Sequence, residues 1–492
     1  MKVIRRRALF HQRRTSNLYR LFALVVFIAA GTWAIFQIRQ GRIQNPFDPT
    51  PTSTRTINSW VQQGQASFNA GDLPAAIAAY QAATAVNKTD ADTLAELARI
   101  QAYSSRLLSN DSDRLTRLTE ALNSADQAKA LAPEDSNVLA IRAFVLDWNA
   151  DPSLDALRTS GKMAAALIIE AEQEALRAIS LNGQNPLAQA YYAEILVDEQ
   201  KWTQADQYIQ NALQTGSDLM DVHRVYAYYL ESIRNYNQAI VEYQNALATN
   251  PNLTFLYISI GLNYRTLALS SPPGAQQTEL YTQALSNFTR AVRLNENLSI
   301  SDPTPYLAIA KTYAQEGEFF AAALNAQKAV AIDPTNADLY GQLGNIYKRG
   351  RNYETAIIAL HCAVKGCTPV DSCQARNLAD DCGGVTVQPL LLNPNSANYY
   401  LDLGSLLAAF SPITPSNCVE AVDVLTRVKD AYPDNQVIVL NADDGLSICA
   451  NVAAAQTQTP TPITTLGNLS TPIANPSRLP TSTPTQIYTP QK

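Results

Sequence analysis

The stretch that decides the fold is Ala337–Thr368, which reads ADLYGQLGNIYKRGRNYETAIIALHCAVKGCT. At helical spacing it predicts two short amphipathic helices joined by a polar turn at Lys348–Asn352. The small residues Gly344, Ala356 and Ala363 allow two helix backbones to approach closely, while larger apolar side chains fill the space between them. Neither helix buries its apolar face alone, so the unit requires neighbours stacked on it.

The same order of small and large residues recurs about nine times between Asn58 and Pro433. Complete copies start at Asp221 and Pro303, and weaker copies lie between them and on either side. This pattern resembles the tetratricopeptide repeat, a helix–turn–helix unit of about 34 residues. The resemblance implies an all-α fold over residues 58–433, a right-handed superhelical solenoid of about nine repeats. It also implies a concave groove, lined by the first helix of each repeat, that binds a protein or peptide.

The family's register places six side chains on the groove-facing side of the first helices. They are Arg224, Tyr228, Arg265, Lys311, Asn345 and Lys348. Their cations, with the amide of Asn345, suit an acidic segment or the C-terminal carboxylate of a peptide. The alternative is that these six side chains belong to an ordinary solvated helix face and bind no partner.

An apolar run at residues 21–38, LFALVVFIAAGTWAIFQI, precedes the repeats. Its uncharged length of about 18 residues just spans a bilayer as a helix. Seven basic residues lie in the N-terminal segment 1–20, and only Arg39 and Arg42 follow soon after the run. The positive-inside rule therefore predicts a cytoplasmic N-terminus and repeats outside the cytoplasm. Cleavage as a signal peptide after Gly31 is the alternative, but the apolar run continues beyond that point and favours an uncleaved anchor.

Three further segments flank the repeats. Residues 39–57 are rich in Pro and Thr and predict an extended linker. Residues 434–455 predict a helix that covers the last repeat, because the outer face of a terminal repeat needs a cap. Residues 456–492 are rich in Thr and Pro with almost no charge, and they predict a disordered tail. That tail either carries O-linked sugars or is unmodified.

Insertions interrupt several repeats. They lie at residues 104–114, 151–162 and 269–276, and a longer one at 365–395 separates the eighth repeat from the ninth. Insertions in arrays of this kind map to loops on one side. They either add binding surface or represent tolerated variation.

All six cysteines follow residue 361, and an even set on the outer side of a membrane predicts disulfides. Four of them, in or beside the insertion 365–395, are expected to pair among themselves, without the sequence choosing the partners: Cys362, Cys367, Cys373 and Cys382. A zinc site is the alternative, but the spacing lacks paired CxxC knuckles. The helix order implied by the tetratricopeptide resemblance brings Cys418 beside Cys449 and predicts a disulfide between them.

Composition and motifs argue against catalysis and nucleic-acid binding. The chain has a net charge of −6, but residues 43–492 hold 28 basic and 43 acidic residues. Phosphate contacts demand a positive stripe, so we expect no nucleic-acid partner. His11, His223 and His361 are far apart, and no known catalytic or nucleotide-binding motif occurs. We therefore expect no enzyme activity, cofactor or metal.

The sequence thus predicts a membrane-anchored, extracytoplasmic scaffold that binds partner proteins or peptides in its groove. The N-terminal helix provides the contact with the cell membrane. The alternative is a structural or adhesive cell-surface protein in which the disulfides and the Thr/Pro tail do the essential work. The sequence sets neither the identity of the partner nor the oligomeric state.

Overall fold

The computed structural model describes residues 17–39, 56–159, 161–379 and 382–457. Within these ranges the chain forms 21 α-helices and two 3₁₀ turns, and its single β-bridge pairs Cys367 with Val387. The predicted all-α fold class is confirmed. The basic segment up to residue 16, the linker between residues 40 and 55, and the Thr/Pro-rich tail after residue 457 lie outside the described residues.

The chain divides into two compact units. Unit 1 comprises Met1–Ser270 and Arg293–Ile300, and unit 2 comprises Ser271–Val292 and Ser301–Lys492. Each unit has its own hydrophobic core of Ala, Leu, Ile, Val and Tyr side chains.

Unit 1 begins with α1 (Leu18–Arg39) and continues as a series of helical hairpins. Its helices are α2 (Ile57–Asn69) with α3 (Leu73–Val86), α4 (Ala91–Ser104) with α5 (Asp111–Leu131), α6 (Ser136–Asn149) with α7 (Ala164–Leu181), α8 (Pro186–Asp198) with α9 (Trp202–Gly216), α10 (Met220–Ser232) with α11 (Tyr236–Thr249), and α12 (Thr254–Ser270). The 3₁₀ turns Ser105–Leu107 and Pro152–Leu157 lie in the first two insertions.

The next helix, α13 (Ala275–Leu298), contributes residues to both units. The helices of unit 2 that follow are α14 (Thr304–Glu316) with α15 (Phe319–Ile332), α16 (Ala337–Arg349) with α17 (Tyr353–Lys365), α18 (Pro369–Ala375), α19 (Ala397–Phe410) with α20 (Asn417–Ala431), and α21 (Gln436–Thr457). With α12 and α13 as a further consecutive pair, the hairpins confirm the repeated helix–turn–helix arrangement and its predicted number.

The hairpin α16–α17 shows why the deciding stretch folds as it does. Tyr340 and Leu343 of α16 are fully buried. Gly344 faces α17 so closely that a Cβ added to it would lie 2.7 Å from Cγ of Leu360. Asn336 begins α16 by accepting a hydrogen bond of 3.0 Å from the backbone N–H of Asp338. Small residues at the contact thus set the distance between the two helices.

The cysteines of unit 2 form three disulfides, and none of those in the described part of the chain is free. Cys362 at the end of α17 pairs with Cys367, and Cys373 of α18 pairs with Cys382. Cys418 of α20 pairs with Cys449 of α21, with the Cα atoms 5.3 Å apart. The insertion 365–395 and the last helix are therefore each fastened by covalent bonds.

Two apolar helices are candidates for contact with a membrane. Judged by length and composition, Gln436–Ala455 of α21 can cross a membrane, and Leu18–Trp33 of α1 is a shorter apolar stretch. However, α21 packs against α19 and α20 and is bonded to α20 through Cys449. Helix α21 therefore belongs to the folded unit 2, at the end of the repeats.

Replacing Gly344 with Leu is expected to overpack the contact with Leu360. The typical cost of such overpacking is about 1–3 kcal/mol. Amide hydrogen exchange on the intact protein should show lost protection in α16 and α17, because coupling between repeats is mainly nearest-neighbour. The matched control is Gly183→Leu, since that position is exposed and the nearest atom to a Cβ there is the carbonyl oxygen of Ile179, at 3.8 Å. Equal protection in both variants would contradict the assigned helix contact.

Candidate binding site

A buried carboxylate on α10 is the centre of the polar interior of unit 1. Asp221 is 5% exposed and accepts hydrogen bonds from Arg99 Nη1 at 2.8 Å and from the hydroxyl of Tyr191 at 2.6 Å. The hydroxyl of Tyr103 donates a third hydrogen bond. Burial alone would raise the pKa of Asp221, but the charges of Arg99 and Arg224 outweigh burial and hold that pKa below its ordinary value. Asp221 is therefore an ionised, fully partnered group.

Arg224 extends this network to α8. Its Nη1 and Nη2 donate to the two carboxylate oxygens of Glu194 at 2.7 and 2.6 Å, and its Nε donates to the hydroxyl of Tyr103 at 3.1 Å. Trp148 Nε1 donates to the same Glu194 carboxylate at 3.0 Å. The network consequently connects the first helices α4, α6, α8 and α10.

Aromatic rings fill the space around these charges. The rings of Tyr103 and Phe255 stack with centroids 5.2 Å apart, and those of Phe144 and Tyr191 stack at 4.6 Å. Because Phe255 belongs to α12, the stack joins the first helix of the second repeat to that of the sixth. The inner face of unit 1 is thus packed with its own side chains.

A second contact closes unit 1 between two turns. Asn250 Nδ2 donates to Asn69 Oδ1 at 3.0 Å, and Asn252 Nδ2 donates to the backbone oxygen of Asn69 at 3.1 Å. Gly71 has φ +82° and allows the backbone of Asn252 to come so close that a Cβ would lie 2.2 Å from its carbonyl oxygen. The turn between α2 and α3 therefore meets the turn between α11 and α12.

Beside the network lies a cavity of about 720 Å³. Its walls come from α5, α6, α7, α8, α10, α11 and α12, and from both insertions, which contribute Arg106, Arg114, Asp151 and Asp155. These insertions therefore do more than lengthen the surface of unit 1. They form one side of a recess that the regular repeats would leave open.

Carboxyl groups outnumber cations in the cavity lining. The acids are Asp147, Asp151, Asp155, Glu194, Asp198, Glu199 and Glu231, and the cations are Arg106, Arg114 and Arg224. Most acids have a cation: Glu194 has Arg224, Asp151 has Arg114, Asp155 has Arg158 and Glu199 has Lys201. Within the described part of the chain no ion pair is formed by Asp147, Asp198 or Glu231.

Asp147 and Asp198 lie together at this site. Asp147 is 5% exposed, its Oδ1 has no hydrogen-bond partner, and its carboxyl group lines the cavity together with that of Asp198. The residue Asp198 as a whole is exposed, but its carboxylate accepts a hydrogen bond of 2.5 Å from the hydroxyl of Tyr228. Removal from water, with the negative charge of Glu194 nearby, raises the pKa of Asp198 to about 6. Burial and the charge of Asp198 raise the pKa of Asp147 well above its ordinary value. The ionised form of both carboxyl groups is therefore less favourable here than in isolated aspartates.

Comparison with known families matches one unit of this architecture. A model of the tetratricopeptide repeat matches residues 325–358, which run from the end of α15 through α16 into α17. Together with the repeated hairpins, this match supports a protein built of tetratricopeptide repeats. No curated protein matches its sequence.

Solved structures with similar folds include other repeat proteins. Human IFIT1, solved as a dimer with PPP-AAAA, is 16% identical, with 82% of this chain and 84% of that chain covered and a TM-score of 0.48. A thermophilic tetratricopeptide repeat protein of Thermus thermophilus is 16% identical, covering 42% of this chain and 98% of that one, with a TM-score of 0.33. PilF of Pseudomonas aeruginosa is 20% identical, with 40% of this chain and 82% of that chain covered and a TM-score of 0.32. These similarities transfer no ligand to this tetratricopeptide repeat protein.

The six side chains predicted for the groove fall in different surroundings. Arg224 and Tyr228 lie together in the cavity of unit 1, and both are bonded to carboxylates. Arg265 is half-buried on α12 and Lys311 is exposed on α14. Asn345 and Lys348 are half-buried on α16, where Lys348 is paired with Asp402 of α19. The buried Oδ1 of Asn345 has no hydrogen-bond partner.

Sequence reasoning missed the three acids without ion pairs. Asp147, Asp198 and Glu231 each lie at or near the C-terminal end of the first helix in three successive repeats, α6, α8 and α10. A carboxylate there opposes the helix dipole, which favours cations at that end. Acids near the C-terminal ends of three successive first helices were a readable signal of a site that collects negative charge.

Replacing Asp221 with Ala is expected to destabilise unit 1 by about 3–5 kcal/mol, because it leaves buried cations without their partner. Hydrogen exchange on the intact protein should then reveal lost protection in α4, α8 and α10. Glu134→Ala is the control, since it removes an exposed ion pair with Arg177, and such pairs contribute about 1 kcal/mol or less. Similar losses in the two variants would refute the central role of Asp221.

Proposed function

We propose that this tetratricopeptide repeat protein is a non-catalytic, membrane-anchored scaffold that holds a partner protein or peptide outside the cytoplasm. The observation that carries the proposal is the cavity of unit 1, where first helices and inserted loops surround a recess with unpaired carboxyl groups. A recess of about 720 Å³ lies in the range of cavities that bind ligands. The partner inserts a segment into it.

Recognition rather than catalysis fits the chemistry of the described side chains. His223 is hydrogen-bonded to Glu242 at 2.7 Å and His361 lies 3.3 Å from Glu420, and neither lines the cavity. Arg224 and Glu194 hold each other in a bidentate pair, which fixes the cavity wall. The excess of carboxylates also argues against a phosphorylated ligand in this cavity, such as the PPP-AAAA found with IFIT1.

Helix α1 supports the membrane anchor. Its side chains are exposed from Leu18 to Trp33, with Phe27 exposed to 78%. A helix that is apolar all round and uncovered by protein fits a bilayer. Helix α21 is a poorer candidate, since it carries Asp443 and Asp444 and packs within unit 2.

The three disulfides support a location outside the cytoplasm, because such bonds persist mainly in oxidising compartments. The alternative structural or adhesive role depends on the Thr/Pro-rich tail, which lies outside the described residues. The cavity favours the scaffold over that role.

A bulky residue at the cavity mouth should prevent partner binding. Ala165 of α7 lines the cavity and is exposed, so Ala165→Trp is expected to fill the recess without disturbing the core. Chemical cross-linking in intact membranes, followed by purification of the full-length protein, should recover a partner with the wild type but not with this variant. The matched control is Ala166→Trp, because Ala166 is its exposed neighbour on α7 and does not line the cavity. Recovery of the same partners with all three proteins would exclude the cavity as the docking site.

A reporter that is active only outside the cytoplasm, fused after Lys492, is expected to be active. In the same cells, thiol labelling of the denatured protein should require prior reduction, because all six cysteines are paired. Peptide mapping without reduction should recover Cys418 linked to Cys449. An inactive fusion with freely labelled thiols would place the repeats in the cytoplasm and refute the proposed location.

A further inference from the structure

We propose that the cavity of unit 1 binds a cationic side chain, the ammonium group of a lysine or the guanidinium group of an arginine, between the carboxyl groups of Asp147 and Asp198. This inference rests on the proposed function, since the cation is carried by the partner segment that enters the cavity. A free polyamine offers the same chemistry and is distinguished by the experiment below.

The first support is an unsatisfied acceptor at the bottom of the site. Asp147 is 5% exposed, and its Oδ1 has no hydrogen-bond donor. Buried carboxyl oxygens are almost always hydrogen-bonded, so this one calls for a partner. The equally deep carboxyl group of Glu194 in the lining has its partners, since it receives three donors from Arg224 and Trp148.

The second support is that the cations of unit 1 near the cavity are engaged elsewhere. Arg224 is held by Glu194 and Tyr103, and Arg114 by Asp111 and Asp151. Arg106 lies over the ring of Trp148, with 5.6 Å between the guanidinium carbon and the ring centroid. None of these three cations forms an ion pair with Asp147 or Asp198, so the two carboxyl groups are open to a cation carried by a ligand.

The cavity suits a long organic cation better than a metal ion. Its volume of about 720 Å³ exceeds what a bare ion fills, and Trp148, Tyr228 and Phe255 supply aromatic walls for an aliphatic stem and for cation–π contact. No cluster of three or more His, Cys, Asp or Glu side chains in the described ranges has the geometry of a metal site. The lining holds seven acids against three arginines, and this excess of negative charge attracts a cation to the cavity.

Binding of the cation is coupled to loss of a proton. The pKa of both carboxyl groups is raised, so a proton held by the empty pair leaves to water when an ammonium group binds between them. Besides each other, the two aspartates face Glu194 of α8 and Arg224 and Tyr228 of α10. Ionisation of the pair is favoured as the pH rises through about 6, the pKa of Asp198, so affinity for the cation rises with pH.

The test uses the full-length protein in detergent micelles and isothermal titration calorimetry. The probe is acetyl-Gly-Gly-Lys-Gly-Gly-amide, whose lysine is its only charge, and its matched control is the same peptide with an acetylated lysine. Wild-type protein is expected to bind the first peptide at least about tenfold more tightly than the second, and about tenfold more tightly at pH 8 than at pH 5. Equal affinities for the two peptides would overturn the proposal.

Asp147→Asn is expected to lower affinity for the lysine peptide by about tenfold and to flatten the pH dependence. Asn resembles the protonated carboxyl group in shape, so hydrogen exchange in unit 1 should remain as in the wild type. Asp198→Asn, at the exposed end of the pair, should give the same loss and provides a second test if Asp147→Asn unfolds. Asp113→Asn changes an exposed acid outside the cavity lining and should leave binding unchanged. A loss equal to that of Asp147→Asn in this control would refute the site.

Two further probes separate the sources of the ligand. Spermidine binding with the same dependence on Asp147, without binding of the lysine peptide, would show a polyamine site and refute the side-chain assignment. Competition for the cavity by a single-stranded oligoadenylate would overturn the cationic preference itself. Suppose that the lysine peptide binds while cross-linking recovers no partner whose binding is lost in the Ala165→Trp variant. That result would refute the proposed scaffold function and leave the cation site supported. Recovery of such a partner without peptide binding leaves the scaffold and removes the cation site.

Discussion

The structure of unit 1 depends on one buried carboxylate. Asp221 brings together Arg99 and Tyr103 from the second repeat, Tyr191 from the fourth, and its own helix in the fifth. Arg99 is 122 residues away from it along the chain. An ionised carboxylate removed from water requires several donors, and here those donors are carried by different repeats. The carboxylate thereby adds long-range contacts to an architecture in which each repeat normally meets only its neighbours.

The same crowding of first helices explains the cavity. Three of these helices carry an acid in their last turn, at Asp147, Asp198 and Glu231, where the helix dipole is least favourable for negative charge. Arg224 forms its ion pair with Glu194. Glu231 accepts hydrogen bonds from the hydroxyl of Tyr243 and the amide of Asn263. Asp198 accepts a hydrogen bond from Tyr228, but neither Asp147 nor Asp198 forms an ion pair in the described part of the chain. Their arrangement is unfavourable when both are ionised, and it becomes favourable with a cation between them.

Much of the fold could be predicted from the sequence, because the determinants are local. The spacing of Gly344, Ala356 and Ala363 dictates a close pair of helices, and its recurrence dictates a stack. The six groove positions followed from the family's register, but their surroundings did not, since Arg224 meets Glu194 from a neighbouring repeat and Lys348 meets Asp402. The cavity was beyond local reasoning. It arises where inserted loops, whose course has no periodicity, meet helices from three other repeats.

The contact between Asn69, Gly71 and Asn252 has a consequence for how this chain can evolve. Repeat arrays commonly gain and lose units by duplication and deletion, because an open stack accepts another unit anywhere. In unit 1 the first hairpin meets the turn before α12, so the number of hairpins between them is fixed by geometry. One unit more or fewer would separate Asn252 from Asn69 and Arg99 from Asp221 together. A change in the number of hairpins would therefore break both contacts, whereas a longer loop in unit 1 would leave them intact.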